Sequence, residues 1–155
     1  MNLYNRFILP RLIDFAMRQK YLQPLRAKAA GAARGRVLEI GIGSGLNLSL
    51  YGQKTESLCG IDPSPELLEK ARQRATSAPF PVRLVEGSSE KLPFDDRCFD
   101  TIIMTFTLCS IRDPTAAARE LRRVLKSDGE LIFEKKVDKH HEKQPSHAEK
   151  NDDGL

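Results

Sequence analysis

The sequence has few cysteines and no long apolar run, and each shortage excludes a class of protein. Its three cysteines, Cys59, Cys98 and Cys109, are an odd number without any Cys-x-x-Cys pair, which argues against both a disulfide framework and a zinc site. We predict three reduced thiols, buried as small apolar residues. No apolar stretch approaches the roughly 18 residues that a membrane-spanning helix needs, and the N-terminus lacks the pattern of a secretory signal. A cytoplasmic protein is therefore predicted.

Histidine is missing from most of the chain, because His140, His141 and His147 all lie near the C-terminus. They belong to segment 138–155, which has no aromatic residue and two apolar ones, and this composition predicts a disordered polar tail. Three histidines without a set of matching ligands do not predict a metal site. The rest of the chain lacks the commonest general base, and no catalytic residue is predicted.

The composition is that of one globular domain. The 155 residues are 40% hydrophobic and 30% charged, which is enough apolar material for a core. The net charge of +4 is unevenly spread, since residues 1–36 hold eight Lys or Arg and a single acid, Asp14. Nucleic-acid binding is not predicted, because these basic groups lie in one end segment and no nucleic-acid motif accompanies them.

Segment 1–35 is predicted to be helical. Apolar residues recur with helical spacing from Leu3 to Ala16, interrupted by Pro10, and a second helix is expected to end at Gly31. We favour the packing of this segment as an N-terminal lid over a bound ligand. The alternative is a basic amphipathic helix that lies on an anionic membrane surface.

After residue 35 the sequence alternates between strand-like and helix-like stretches. Short runs rich in apolar and β-branched residues predict five strands, over 37–40, 58–61, 82–85, 99–104 and 130–133. Helices are predicted over 65–75, with Ser64 as its cap, and over 114–125, followed by a turn over 126–129. Such alternation is typical of a parallel sheet with helices on both faces. We place this α/β core at residues 36–137.

The first predicted strand runs into a glycine-rich turn, formed by Gly41, Gly43 and Gly45, after which a helix is expected. Glycines allow a tight turn and let a ligand approach main-chain amides. A dinucleotide-binding turn would have its third glycine at position 46, which is Leu. No Gly-Lys-Ser/Thr of a phosphate-binding loop follows. Taken alone, the glycines fit a purely structural turn equally well.

Asp62 adds a second signal. It ends the second predicted strand, 21 residues after Gly41, and an acid placed there can accept hydrogen bonds from both hydroxyls of a ribose. Strand, turn, helix, strand and Asp62 in this order predict a ligand that contains a nucleoside. A nicotinamide dinucleotide is the less favoured version of that ligand, because the third glycine comes one residue early.

Five stretches in order resemble the motifs of a known family. Glu39–Gly45 resembles the first motif of the class I S-adenosylmethionine-dependent methyltransferases, and Gly60–Ser64 resembles their second. Glu86–Phe94, Phe99–Asp100 and Arg123–Gly129 resemble the later motifs of the subgroup that includes ubiquinone and menaquinone C-methyltransferases. This resemblance covers residues 36–134. Thr107–Ile111, with Tyr4–Asn5, is also similar to methyltransferase-like proteins that act on small thiols or lipids near membranes.

The resemblance implies a doubly wound, Rossmann-like fold and S-adenosylmethionine as the cofactor. It implies that the three glycines admit the methionine and the ribose, that Asp62 holds the ribose hydroxyls, and that Pro63 lies along the adenine. Ser88 stands where the family often has an Asp for the adenine amino group, so that contact falls to Ser88, Ser89 or main chain. The cofactor-binding residues predicted in this way are Glu39, which is expected to face the methionine end, Gly41, Gly43, Gly45, Asp62, Pro63, Ser88 and Ser89.

The resemblance also implies a further helix and an antiparallel strand pair after the fifth strand, where this sequence has its polar tail. We therefore expect a sheet of five parallel strands with the closing antiparallel strands missing, and an exposed fifth strand open to self-association. The predicted function is S-adenosylmethionine-dependent methyl transfer to a small-molecule or lipid-like acceptor. The alternative is a truncated, non-catalytic cofactor-binding or interaction module that needs a partner to complete the sheet.

Overall fold

A computed structural model describes residue 12, residues 20–105 and residues 111–134 of the chain. Three sequence predictions fall elsewhere and stay predictions. These are most of the part before residue 20 of the lid or membrane-contacting segment predicted over 1–35, the burial of Cys109, and the disordered tail over 138–155.

Five parallel strands form the sheet, which confirms the predicted fold class. The strands are β1 (Gly35–Ile40), β2 (Thr55–Asp62), β3 (Val82–Glu86), β4 (Phe99–Thr105) and β5 (Leu125–Glu134), in the spatial order β3-β2-β1-β4-β5. The direction of winding reverses between β1 and β4. In open α/β sheets a crevice forms at this reversal, beyond the carboxyl ends of the strands, and ligands bind there.

Residues 20–105 and 111–134 contain three α-helices: α1 (Gln23–Ala32) before β1, α2 (Pro65–Ala75) between β2 and β3, and α3 (Pro114–Val124) between β4 and β5. The predicted cap of α2 is present, since the Ser64 hydroxyl accepts a hydrogen bond from the Leu67 N–H at 3.3 Å. Asp113 caps α3 in the same way, accepting from the Ala116 N–H at 3.0 Å. Each of these helices begins with a proline, whose missing N–H costs nothing at the first helical position.

Helices cover both faces of the sheet, as predicted, because side chains alternate along each strand. On β1, Val37 belongs to an apolar cluster with residues of α1 and α2, whereas Leu38 belongs to a second cluster with residues of α3. The first cluster contains Ala30, Leu48, Leu58, Leu68 and Ile103, and the second contains Ile40, Ile61, Ile102, Leu121 and Val124. Glu39 is the exception, an acid at a buried position of β1.

Two local predictions are wrong. The helix expected after the glycine-rich turn is replaced by further turn and a single 3₁₀ turn over Leu48–Leu50. The three glycines have backbone conformations that a helix does not allow. The nearby Asn47 side chain also forms hydrogen bonds to the sheet, and these bonds compete with helix formation. α1 does not end at Gly31. It continues to Ala32, and the next residue, Ala33, has an extended conformation.

The turn predicted over 126–129 is an irregularity within β5. Phe99 pairs with Leu125 and Thr101 pairs with Glu130, so four residues of β5 lie opposite Asp100. Asp100 stabilises this arrangement by accepting hydrogen bonds from Lys126 Nζ at 2.5 Å and from the Arg36 N–H at 2.8 Å. A single carboxylate therefore joins the starts of β1, β4 and β5.

The loop between β3 and β4 is fastened to α3 by one arginine. Arg123 donates to the main-chain oxygens of Leu92 and Phe94 at 3.0 and 2.8 Å, and to the carboxylates of Glu120 and Asp96 at 2.8 Å. Glu120 also accepts from the Leu92 N–H at 2.7 Å. The hydrogen bonds from Arg123 lower the pKa of Glu120 to about 2. The loop that follows the third strand is thus held in one position.

We predict that Arg123→Lys lowers the free energy of unfolding by about 1–3 kcal/mol, because an ammonium group cannot reproduce the planar fork that binds five oxygens at once. Urea unfolding measures the change. Arg122→Lys is the matched control, since Arg122 is exposed on the same helix. Equal stabilities of the two variants would show that Arg123 does not fasten the loop to α3 as described.

Candidate functional site

The glycine-rich turn has a backbone that glycine alone adopts easily. Gly41, Gly43 and Gly45 have φ values of +66°, +56° and +78°, in the left-handed region that side chains disfavour. A Cβ at Gly45 would lie 2.7 Å from Leu48 and 3.2 Å from Ala71, whereas a Cβ at Gly43 would meet nothing closer than the Gly41 oxygen at 4.0 Å. Gly45 is therefore required for packing, and Gly43 leaves room for a ligand near its backbone.

Asp62 binds this turn directly. Its Oδ2 accepts a hydrogen bond from the Gly43 N–H at 2.9 Å, and its Oδ1 accepts one from the Ser64 N–H at 2.9 Å. The side chain is buried, which raises its pKa, while the two N–H donors act in the opposite direction. A carboxylate has about four lone-pair sites, so Asp62 can still accept from ligand hydroxyls. Its predicted contact with the ribose remains a prediction.

A small cleft lies where β1, β2 and β3 end. It brings together four of the predicted residues, Gly41, Pro63, Ser88 and Ser89, beside the apolar side chains of Ile40, Ile61 and Ile111. Pro63 and Ser88 are exposed and Ser89 is buried. An apolar cleft with a few hydroxyl groups has the character of a site for a flat, weakly polar ring. Binding of the adenine there remains a prediction.

Glu90 holds in place the side of the cleft that Ser88 and Ser89 form. Its Oε1 accepts hydrogen bonds from the N–H groups of Arg112 and Asp113, at 3.0 and 3.4 Å. The Ser88 hydroxyl contributes most to the lowering of the Glu90 pKa, to about 2. The loop after β3 is thereby joined to the start of α3, and the two serines are held at the edge of the cleft.

Glu39 lies beneath the glycine-rich turn. It is 1% exposed, and its two oxygens accept hydrogen bonds from Asn47 Nδ2 and from the Tyr51 hydroxyl, each at 2.7 Å. Burial raises its pKa to about 7, although Tyr51, Asn47 and Arg26 all favour the charged form. The side chain thus supports the turn from below, and its predicted contact with the cofactor is still a prediction.

Asn47 is a site residue that the sequence analysis missed. It is fully buried, its Nδ2 also donates to Thr105 Oγ1 at 3.0 Å, and its Oδ1 accepts from Arg26 NH1 at 2.9 Å. The amide therefore connects the turn to α1, β1 and the end of β4. One signal was available, an asparagine between two leucines directly after the glycines. No spacing in the sequence marks Arg26, Glu39 or Thr105 as its partners.

Comparisons with known proteins assign the family. A family model described as a methyltransferase domain matches residues 38–133, and the chain belongs to this family. It is 34% identical over 79% of its length to a phosphatidylethanolamine N-methyltransferase of Cereibacter sphaeroides, covering 62% of that protein. It is 27% identical over 81% of its length to a ubiquinone/menaquinone biosynthesis C-methyltransferase of Geotalea uraniireducens, covering 55% of that protein.

A solved structure supports the same family and fold. The crystal structure of an S-adenosylmethionine-dependent methyltransferase from Thermotoga maritima aligns with a TM-score of 0.64 at 30% identity, over 83% of this chain and 60% of that one. The predicted family, its Rossmann-like fold and its cofactor, S-adenosylmethionine, are thereby confirmed. The chain spans between about half and three fifths of the length of these proteins.

Two negative findings hold within residues 20–105 and 111–134. In this part of the chain no group of three or more His, Cys, Asp or Glu side chains is arranged to hold a metal ion. None of the helices in the same residues has the length and apolar character needed to cross a membrane.

The buried Glu39 predicts a pH-dependent stability. Because its pKa rises from 4.5 to about 7 on folding, the folded protein binds this proton more tightly than the unfolded chain does. The stabilising effect is complete below pH 4.5 and is lost as the pH rises through 7. At 1.36 kcal/mol per unit of pKa, the loss is about 3 kcal/mol.

Urea unfolding of the wild-type chain and of Glu39→Gln, across this pH range, measures the effect. Glutamine has the same size and does not titrate, so the difference between the two proteins isolates Glu39 from Asp62 and the other acids. The same pH dependence in both proteins would show that Glu39 does not titrate as described.

Proposed function

We propose that the chain is the cofactor-binding part of an S-adenosylmethionine-dependent methyltransferase that acts on a small-molecule or lipid-like acceptor. One observation supports this most strongly: the bond between Asp62 and Gly43, which sets an acid and an open glycine backbone together beside the cleft. Membership of the methyltransferase-domain family gives the reaction type.

The residues present suit this cofactor. The buried carboxylates of Glu39 and Asp62 lie on either side of the glycine-rich turn, and negative charge there favours a cationic ligand. Asp62 has acceptor capacity left for two ribose hydroxyls. The apolar cleft edged by Ser88 and Ser89 suits an adenine ring.

When bound, the cofactor supplies a methyl group on a cationic sulfur, and the reaction is a direct displacement at that carbon. The chain's own contribution is alignment and exclusion of water. The glycine-rich turn admits the methionine and the ribose against main chain, Asp62 holds the ribose, and the cleft fixes the adenine. No group among the described residues is assigned to proton transfer, so we name no catalytic residue.

The acceptor class is suggested by the relatives. One acts on phosphatidylethanolamine and another belongs to ubiquinone and menaquinone biosynthesis, and all three compounds are lipids. Thr105, at the end of β4, is buried next to the site, and we expect Thr105–Leu108 to form the floor of the methyl-transfer site. Residues 106–108 of that segment lie outside the described residues.

We predict that Asp62→Ala weakens the binding of S-adenosylmethionine by at least about tenfold, since a buried charged hydrogen bond is worth 1.5–3 kcal/mol. Isothermal titration calorimetry measures the affinity. Asp100→Ala is the matched control: Asp100 also bonds a main-chain N–H, but at the opposite end of the sheet. Absence of wild-type binding below about millimolar concentration would contradict the proposal.

The exposed edge of the sheet favours the second candidate, a non-catalytic module that needs a partner. β5 is the end strand of the described sheet, and its Leu131 and Phe133 side chains are 42% and 58% exposed. A strand edge with unpaired main-chain groups and exposed apolar residues invites pairing with another chain. Transfer of a labelled methyl group to phosphatidylethanolamine or to a quinone precursor would reject this candidate, and cofactor binding without transfer would support it.

Self-association is the form of pairing that we predict for this edge. Sedimentation velocity over a range of concentrations should show oligomers of the wild-type chain, and Phe133→Lys should shift them to the monomer, because an edge lysine opposes strand pairing. Glu56→Lys, an exposed change on the inner strand β2, is the control. A wild-type monomer at every concentration would rule out self-association through β5.

A further inference from the structure

The two halves of the glycine-rich turn are held by different kinds of bond. The N–H groups of Gly41 and Ile42 donate to the Ile61 carbonyl at 2.8 and 3.2 Å, so main chain fixes the first half to β2. In the second half the main-chain bonds are local, from Gly45 to Ile42 and from Leu48 to Gly45, at 3.0 and 3.2 Å. Side chains therefore fasten the second half of the turn to the rest of the protein.

Asn47 is a side chain of the turn itself that does so. Its amide donates to Glu39 of β1 and to Thr105 of β4 and accepts from Arg26 of α1. Asn47 is fully buried and does not line the cleft, so it acts on a ligand through the turn. Gly43 and Gly45, which precede Asn47, have no side chains, so their backbone changes conformation easily.

We propose that Asn47 is a positioning residue for cofactor binding, which holds the second half of the glycine-rich turn against β1 and β4 in the conformation that meets the methionine part of the cofactor. This inference rests on the proposed function and deepens it. The adenine part is served by a different region, the cleft at Pro63, Ser88 and Ser89, which is fastened by Asp62 and Glu90.

The energetic reason lies in the surroundings of the amide. Removing it takes a hydrogen bond from the buried carboxylate of Glu39 and another from Thr105, and a buried polar atom left without its partner is costly. The turn can reduce that cost by moving so that water or a main-chain N–H reaches Glu39. Such a movement displaces the backbone at Gly43 and Gly45.

The first test compares two ligands. Calorimetry at a temperature well below unfolding gives the affinities of S-adenosylhomocysteine and of adenosine, which lacks the amino-acid part. We expect Asn47→Ala to weaken S-adenosylhomocysteine binding by about tenfold, the equivalent of one net hydrogen bond, and to change adenosine binding far less. Val124→Ala, a core change at the last residue of α3, is the control for general destabilisation and should weaken neither ligand.

The second test replaces the amide with a carboxyl group of the same size. Asn47→Asp keeps the acceptor for Arg26 but sets a second carboxylate against Glu39, with Asp62 and Tyr51 as the other titratable groups that face it. Two adjacent carboxyl groups share a proton, and the O–H then replaces the lost donor. Relative to wild type, S-adenosylhomocysteine affinity should be low near pH 8 and recover at about pH 5.5.

Each outcome separates this inference from the proposed function. Equal loss of both ligands in Asn47→Ala, unchanged affinity in that variant, or a pH-independent loss in Asn47→Asp would overturn the positioning role. If Asn47→Ala does not fold, Asn47→Asp alone decides. Failure of the wild-type chain to bind either ligand is a different result, and it would overturn the proposed function itself.

Discussion

The end of the sheet that carries the cleft depends on the carboxylate of Asp62. One of its oxygens binds the turn that follows β1 and the other binds the N–H of Ser64, whose side chain caps α2. The main-chain oxygen of Asp62 also accepts from Gly87, directly after β3. One residue thus holds the ends of three strands together. A buried carboxylate requires such donors, so the acid and the backbone around it fix one another.

Glu39 and Asp62 are two buried acids that have different roles because they lie at different positions. Both are buried at strand ends and both have a raised pKa. The partners of Asp62 are main-chain N–H groups beside the cleft, whereas the partners of Glu39 are the side chains of Asn47 and Tyr51. The first arrangement leaves an acid at the edge of the cleft. The second makes an acid part of the support beneath the glycine-rich turn.

Features with a local cause could be predicted from the sequence. Ser64 followed by proline marks the start of α2 because capping needs just a few neighbouring residues, and the runs of apolar residues place all five strands. The Asn47 network joins residues up to 79 positions apart in the chain, and no local pattern encodes such distances. The irregularity in β5 likewise depends on pairing with Asp100, so the sequence indicated a turn but not its place inside a strand.

The central position of β1 has a consequence for the order in which the molecule opens. β1 has a neighbour on each side and four consecutive buried residues, whereas β5 pairs with β4 at the end of the sheet. Amide hydrogen exchange should accordingly begin at the two end strands, β3 and β5, and reach β1 last. The strand that bears Glu39 and leads into the glycine-rich turn then belongs to the most slowly opening part of the protein, so the turn keeps its shape while the end strands of the sheet open and close.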